Sequence, residues 1–424
     1  MANNYVQQVI SVNSNWTAPG GVSSITIIPN YTNLDDQRWI GDGVVSGSTW
    51  GLARTSSGSL YSWGANGSGQ LGTGDVTPRS SPTLISGYTF SKVYTGNDGA
   101  IFGQTTSGIT YAWGLNANGQ LGLGNVTPYS TPQIIPGDFV FTRIVRTQHV
   151  NVSTFGLVAG GAVYAWGDNT GGCLGVGTTG NAYSSPTLVL GLPEAIKDLT
   201  GHYNSCTYAL GVSGTAYAWG NNAYGSLGVG DTNARSSAVT VVGGLTFQKI
   251  VTDTSLISLS ASCYGLTTGG DLYAWGQNNY GQLGVNDTTN RSSPTLVVGG
   301  LKWANVWPIT YGCLALTTGG QLYAWGYNPD GRLGSGDVIS RSTPNLVLGS
   351  LGIPKKVVSS GGGSVFVINQ ANAVYAWGNN NTGNIATGDL LPRSSPVAIL
   401  GGLKVAQISV VSRSEEHTSE LQSH

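Results

Sequence analysis

The chain has 424 residues and a net charge of −1, with 9% charged residues, 66 glycines and four histidines. A balance this close to neutral, with no Lys/Arg run, argues against nucleic-acid binding by phosphate neutralisation, and no apolar stretch approaches the ~18 residues of a membrane span. Aromatic and β-branched residues suffice for a core while the glycine content disfavours helix, so the class is all-β.

Residues 1–35 stand apart from the rest of the chain. The start, MANNYVQQVISVNSNWTAPG, has neither the basic nor the apolar region of a signal peptide, which points to synthesis in the cytoplasm and leaves the final location open. Its W-T-A-P-G-G-V phrase at 16–22 is followed by an alternating strand. The phrase resembles short modules of bacteriophage tail and bacterial surface proteins, and it predicts a small β extension.

From 36 to 411 one phrase recurs around Trp63, Trp113, Trp166, Trp219, Trp275, Trp325 and Trp377, at spacings of 50, 53, 53, 56, 50 and 52 residues. The pattern is Y-x-W-G-x-N-x-x-G-x-L-G, from LYSWGANGSGQLG at 60–72 to VYAWGNNNTGNIA at 374–386, where Ile385 replaces the Leu. Tyr and Trp two residues apart share one face of a strand. The residue between them is Ala in six copies and Ser62 in the first, so the opposite face is thin and can receive the bulky face of a neighbouring copy. The Gly and Asn after the Trp form a tight loop, and the Leu returns that loop to the core. Short runs such as FSKVYTG (90–96), GAIFGQTT (99–106) and TPQIIPG (131–137) supply the other strands. Four antiparallel strands per roughly 50 residues, seven times over, predict a seven-bladed β-propeller.

The blocks LYSWGANGSGQLGTGD, AYAWGNNAYGSLGVGD, LYAWGQNNYGQLGVND and LYAWGYNPDGRLGSGD are similar to the regulator of chromosome condensation repeat family, over about residues 36–411. The resemblance implies the same propeller. It also implies a choice of roles: nucleotide exchange on small GTPases, chromatin attachment, ubiquitin-ligase scaffolding, or inhibition of β-lactamases in a secreted bacterial branch. Fold does not select among them. Exchange activity in the family goes with an extra wedge in one blade and often a basic tail, whereas here the widest spacing adds only a few residues around TDTSLISLSASC.

Catalytic chemistry has few residues to draw on. Outside the last twelve residues the histidines are His149 and His202, and Glu194 is the sole glutamate. No nucleophile-elbow motif surrounds a serine, and His202 reads as structural. Gly67 to Gly72 match G-x-G-x-x-G, but without the strand–turn–helix context of a dinucleotide site. Cys173, Cys206, Cys263 and Cys313 form no C-x-x-C pair and read as small buried thiols. Asp75, Asp231, Asp287, Asp337 and Asp389 recur twelve residues after Trp, one carboxylate per blade, which suits a turn better than calcium. The expectation is therefore no catalytic, cofactor or metal site. Trp39, Trp50, Tyr94, Tyr203, Tyr264, Trp303, Trp307 and Tyr311 lie near the first two strands of their blades, and Tyr and Trp favour interface hot spots. They are the predicted binding face.

The segment GGLKVAQISVV (401–411) repeats the opening of a unit, as GGLTFQKIVT does at 243–252, and reads as the start of an eighth repeat or a further domain. Residues 412–424 break with this composition. RSEEHTSELQSH holds three of the four glutamates and resembles a translated sequencing adapter, so it is set aside as an artefactual or disordered tail. The leading reading is a non-enzymatic propeller that binds a protein or cell-surface ligand on a phage particle or bacterial surface. The alternatives are a GTPase or chromatin regulator and a propeller-type enzyme inhibitor.

Overall fold

The computed structural model describes residues 43–46, 49–55, 57–96, 98–147, 152–201, 205–252 and 261–399, with the backbone alone for 43–46. They hold seven sheets of four antiparallel strands, each a meander of four consecutive segments. In blade six these are Trp303–Ile309, Gly312–Thr317, Leu322–Gly326 and Arg341–Leu346. This is the seven-bladed β-propeller the repeat predicts, each Tyr-x-Trp-Gly phrase forming the third strand of its blade. The extension at 1–35, the eighth-repeat reading at 401–411 and the tail at 412–424 fall outside the described residues.

The first strands are innermost. From Lys92–Thr95 through Phe141–Arg146, Ile196–Gly201, Phe247–Thr252 and Trp303–Ile309 to Pro354–Ser359, each neighbours the first strand of the next blade, which gathers them around an axis. Fourth strands such as Arg79–Leu84 leave most of their residues partly or fully exposed and form the perimeter.

Six junctions between blades share one construction. Each Trp from Trp113 to Trp377 is fully buried against the preceding blade. Trp113 packs with Trp50, Leu52, Leu60, Leu71 and Ile85 of blade one, and Trp325 with Leu272, Ala274 and Leu283 of blade five. The six indole N–H groups donate to backbone carbonyls of Gln70, Gln120, Cys173, Ser226, Gln282 and Arg332, each one blade back, at 2.8–3.2 Å. Burying an indole of about 200 Å² is worth on the order of 5 kcal/mol, and the bond prevents a stranded donor. The indole lies over the Gly two residues after that carbonyl. A Cβ at Gly72, Gly122, Gly175, Gly228, Gly284 or Gly334 would come within 2.7–2.9 Å of the ring. The same loop donates a backbone N–H to the next blade's outer strand, as Gly124 does to Ser184 at 2.7 Å and Gly336 to Ser394 at 2.8 Å.

Blade seven departs from this plan. Ala386, with φ of +52°, takes the cradle position, and Trp63 of blade one is partly exposed. In the other six blades a Cβ at this position would come within 2.7–2.9 Å of the indole, so the Ala386 methyl would crowd a ring seated in the same way.

The repeated Asn organises the loop. In all seven blades its Oδ1 accepts the N–H of the buried Leu or Ile five residues on, as Asn66 does from Leu71 at 2.9 Å. Its Nδ2 reaches across, as from Asn66 to the carbonyls of Asp75 and Thr77. The repeated Asp then closes the loop onto Arg four residues later, in pairs from Asp75–Arg79 to Asp389–Arg393 at 2.5–2.7 Å. Blades two and three substitute neutral pairs, Asn125–Tyr129 at 3.1 Å and Thr178–Tyr183 at 2.9 Å.

The cradle gives a direct comparison within one loop. Gly228 and Gly230 both have positive φ, but a Cβ meets the Trp275 ring at 2.7 Å only at Gly228, and nothing within 4 Å at Gly230. Gly228→Ala is expected to cost about 1–3 kcal/mol more than Gly230→Ala, read as the larger fall in urea midpoint. Equal falls would remove the steric account. Acid offers a second check. The guanidiniums of Arg79 and Arg235, with the amides of Thr77 and Asn233, hold the Asp75 and Asp231 carboxyls below their ordinary value. The amides of Thr289 and Leu391, then Arg291 and Arg393, do the same for Asp287 and Asp389. These bonds add stability above the unfolded carboxyl value of about 4 and lose it as pH falls through the lower folded values. The thermal midpoint should be flat above about pH 5 and drop below about pH 4, with a shallower drop when all five Asp are changed to Asn. An equally steep drop in that variant would place the acid sensitivity elsewhere.

Candidate protein-binding face

Because the strands of each meander alternate in direction, the first and third strands of every blade end at one end of the propeller and the second and fourth at the opposite end. Of the aromatics predicted to form a binding face, Trp39 and Tyr203 lie outside the described residues. The structure places five others in the core. Trp50 packs between blades one and two, and Tyr94 between two and three. Tyr264 donates its hydroxyl to the Gln282 carbonyl at 2.5 Å. The Trp303 ring lies 5.6 Å from that of Trp325, and Trp307 is buried between blades six and seven. Both faces of a first or second strand meet a neighbouring blade, so an aromatic there is packing material. Tyr311 sits at the surface.

Tyr311 occupies the two-residue connection between Ile309 and Gly312 and has φ of +56°, a conformation that costs a bulky residue on the order of 1–3 kcal/mol. Two rings hold it. Tyr280, from the loop of blade five, lies 4.9 Å away, and Tyr327, just after the third strand of blade six, lies 6.0 Å away. Tyr280 and Tyr327 are themselves 4.7 Å apart. Beneath them is Arg332, 6% exposed, its guanidinium 5.2 Å from the Tyr327 ring centre. Arg332 donates to the Thr310 carbonyl at 2.9 Å and to both oxygens of Asp330 at 2.8 and 2.5 Å. The Asp330–Arg332 pair thus fixes both the turn that carries Tyr311 and the ring beside it. The result is a rigid cluster of three phenols on one end, with Tyr280 39% exposed.

Tyr280 and Tyr327 were not singled out from the sequence, although a signal existed. Tyr327 fills the position two after Trp, where other blades carry Ala65, Leu115, Asp168, Asn221, Gln277 and Asn379. Tyr280 fills the position five after Trp, occupied elsewhere by Ser68, Asn118, Gly171, Tyr224, Asp330 and Thr382.

Among the described residues, Glu194 and the four cysteines are held within the fold. Glu194 accepts from the Ser213 hydroxyl and amide and from the Tyr217 hydroxyl. All four cysteines are free and buried, and burial pushes the Cys206 thiol up to about 12, away from the reactive thiolate. Among the described residues no three His, Cys, Asp or Glu side chains are grouped to hold a metal. His149 and His202 fall outside the described residues.

Comparison with known proteins adds a family. The family model of the regulator of chromosome condensation (RCC1) repeat matches residues 57–102, 107–148, 160–207, 269–306 and 319–368, just over half of the chain. Each matched segment opens near the third strand of one blade and ends within the first half of a later one, so the sequence repeat bridges blades. The chain is 30% identical over 267 residues to the E3 ubiquitin-protein ligase HERC2 of Homo sapiens, 60% of this chain and 4% of that protein. It is 40% identical over 265 residues to the X-linked retinitis pigmentosa GTPase regulator of Canis lupus familiaris, 61% of this chain and 25% of that one. The chain therefore spans a small part of the curated relatives it matches. Among solved structures, Prp20p from Saccharomyces cerevisiae, described with its binding properties to Gsp1p and histones, superposes with a TM-score of 0.57 at 20% identity, covering 88% of this chain and 90% of that one.

Removing one member of the platform should be costly. Asp330→Ala strands a buried guanidinium and is expected to lower stability by about 3 kcal/mol, whereas Asp330→Ala combined with Arg332→Met should recover most of that loss. A single variant that unfolds at the wild-type denaturant concentration would show that the pair does not hold the turn.

Proposed function

The chain belongs to the regulator of chromosome condensation (RCC1) repeat family, and on that premise we propose that it is a non-enzymatic scaffold holding a protein partner on the end where Tyr280, Tyr311 and Tyr327 cluster. The observation that carries this reading is the division of labour between repeated and unrepeated residues. The groups rewritten in nearly every blade, the indole N–H, the Asn amide and the Asp–Arg pair, are engaged in holding blades and loops together. Recognition falls to residues that break the repeat, and three phenols locked on a fixed turn are well suited to it. Phenols offer contact area with little rotamer entropy to lose, and clustered tyrosines favour hot spots.

A second reading, regulation of a small GTPase, is favoured by the 40% identity to a relative of that name. The setting on a phage particle or bacterial surface is supported by the phrase at 16–22 alone.

Affinity capture from lysate and envelope of the source cells tests the scaffold. One protein should be retained by the wild type and reduced at least about tenfold, equivalent to about 1.4 kcal/mol, by Tyr280→Ala with Tyr311→Ala, the variant keeping its circular dichroism spectrum. Capture unchanged by the double variant would refute the tyrosine face. Faster nucleotide release from a captured GTPase would select the second reading.

A further inference from the structure

The opposite end of the propeller concentrates the chain's lysines. The first strands of blades three to seven each carry a register shift beside their first residue, as at Phe141/Arg143, Ile196/Asp198, Phe247/Lys249, Trp303/Asn305 and Pro354/Lys356. A bulge of this kind opposes two residues to one and re-aims their side chains. The bulged pairs are Thr142–Arg143, Lys197–Asp198, Gln248–Lys249, Ala304–Asn305 and Lys355–Lys356, and Ser91–Lys92 takes the same place in blade two. Five of the chain's seven lysines are here, and these twelve residues include six cations against one carboxylate.

The second members of these pairs meet around the axis. Arg143 pairs with Asp198 of the next blade, and the Lys249 Nζ donates to Asn305 Oδ1 of the next blade at 3.2 Å. The first strands of blades two to five border an open cavity of about 530 Å³, lined by Lys92, Tyr94, Arg143, Lys197 and Gln248 among others. Its carboxylate, Asp198, is tied to Arg143. Glu194, three residues before Lys197, accepts from Ser213 and Tyr217, and these bonds, with a smaller pull from the Lys197 charge, hold its carboxyl below the ordinary value. At the tyrosine end, by contrast, each core arginine has its own acid, Asp98 with Arg146 and Asp330 with Arg332.

We propose that this basic mouth at the axis, with Lys92 and Lys197 on the cavity wall, binds a short acidic segment of a partner protein, whose Asp and Glu side chains enter between the inner strands of blades two to five. Convergence on an axis decides the class of ligand. A nucleic-acid strand is tracked by a basic groove with exposed aromatics for base stacking, whereas here Lys92, Arg143 and Lys197 line a cavity the size of a small-ligand site, and the aromatic that lines it, Tyr94, is 4% exposed. Lys92 and Lys197 share the wall of one cavity, and like charges gathered in a cleft raise the local concentration of a multivalent carboxylate ligand. The site is independent of the tyrosine face, so one partner can occupy each end.

Fluorescence anisotropy of a labelled peptide alternating Glu and Ser, titrated with the full chain, tests the proposal. Saturable binding is expected, weakening about tenfold as salt rises from about 50 to about 200 mM, since the attraction is screened over that range. Lys92→Glu with Lys197→Glu should lower affinity at least about tenfold, Lys92→Arg with Lys197→Arg should retain it, and Tyr311→Ala should leave it unchanged. Absence of saturable binding, indifference to the charge reversals, or equal or tighter binding of an oligothymidine or inorganic polyphosphate of matched charge would overturn it. Peptide binding that survives Tyr311→Ala while protein capture is lost, or the reverse pattern in the lysine variants, separates the two ends.

Discussion

The structure depends on one contact made six times: an indole laid over a glycine of the preceding blade, its N–H bonded to a carbonyl of the same loop. Every other repeated residue serves it. The Asn holds the loop from inside, the Leu anchors it in the core, the Asp–Arg pair closes its outer edge, and the loop's own amide ties down the next outer strand. Because the ring and the carbonyl belong to different blades, no blade completes its core alone. Stability is therefore a property of neighbours, as expected for repeat architectures.

This is why the fold was legible in the sequence and the site was not. The Tyr-x-Trp pair with Ala between them encodes a bulky face and a thin face, and repetition at about 50 residues encodes the blade, so seven Trp positions sufficed for the architecture. The twelve-residue Trp-to-Asp spacing likewise read as a turn. The predicted binding face rested on counting aromatics, and aromatic identity does not report depth. Trp303 and Tyr264 look like surface anchors only if the first two strands are taken as a rim, and both faces of those strands are covered. Tyr280 and Tyr327 were hidden for the converse reason, since they sit inside the repeated phrase, at its variable positions. The basic mouth was hidden because Lys92, Arg143, Lys197 and Lys249 lie some fifty residues from one to the next and are brought together only once the first strands surround an axis.

The two ends of the propeller present different chemistry on one rigid frame. One offers a fixed aromatic cluster, with its neighbouring cations neutralised by acids of their own. The other offers Lys92, Arg143 and Lys197 on the wall of an open cavity. Bulges in the first strands and a positive-φ tyrosine in a two-residue turn mark the places where the repeated plan yields to a local purpose. Blade seven departs in another way, with Ala386 where the other blades need glycine, which leaves Trp63 without the seat its six counterparts share.

Hydrogen exchange at the indole nitrogens, followed by nuclear magnetic resonance on 15N-tryptophan protein, tests the shared junction most directly. The Nε1 protons of Trp113, Trp166, Trp219, Trp275, Trp325 and Trp377 should exchange only with global or blade-level opening, as one slow group, while that of Trp63 exchanges faster. If the six exchanged as freely as Trp63, the blades would be held together by something other than the indole seat.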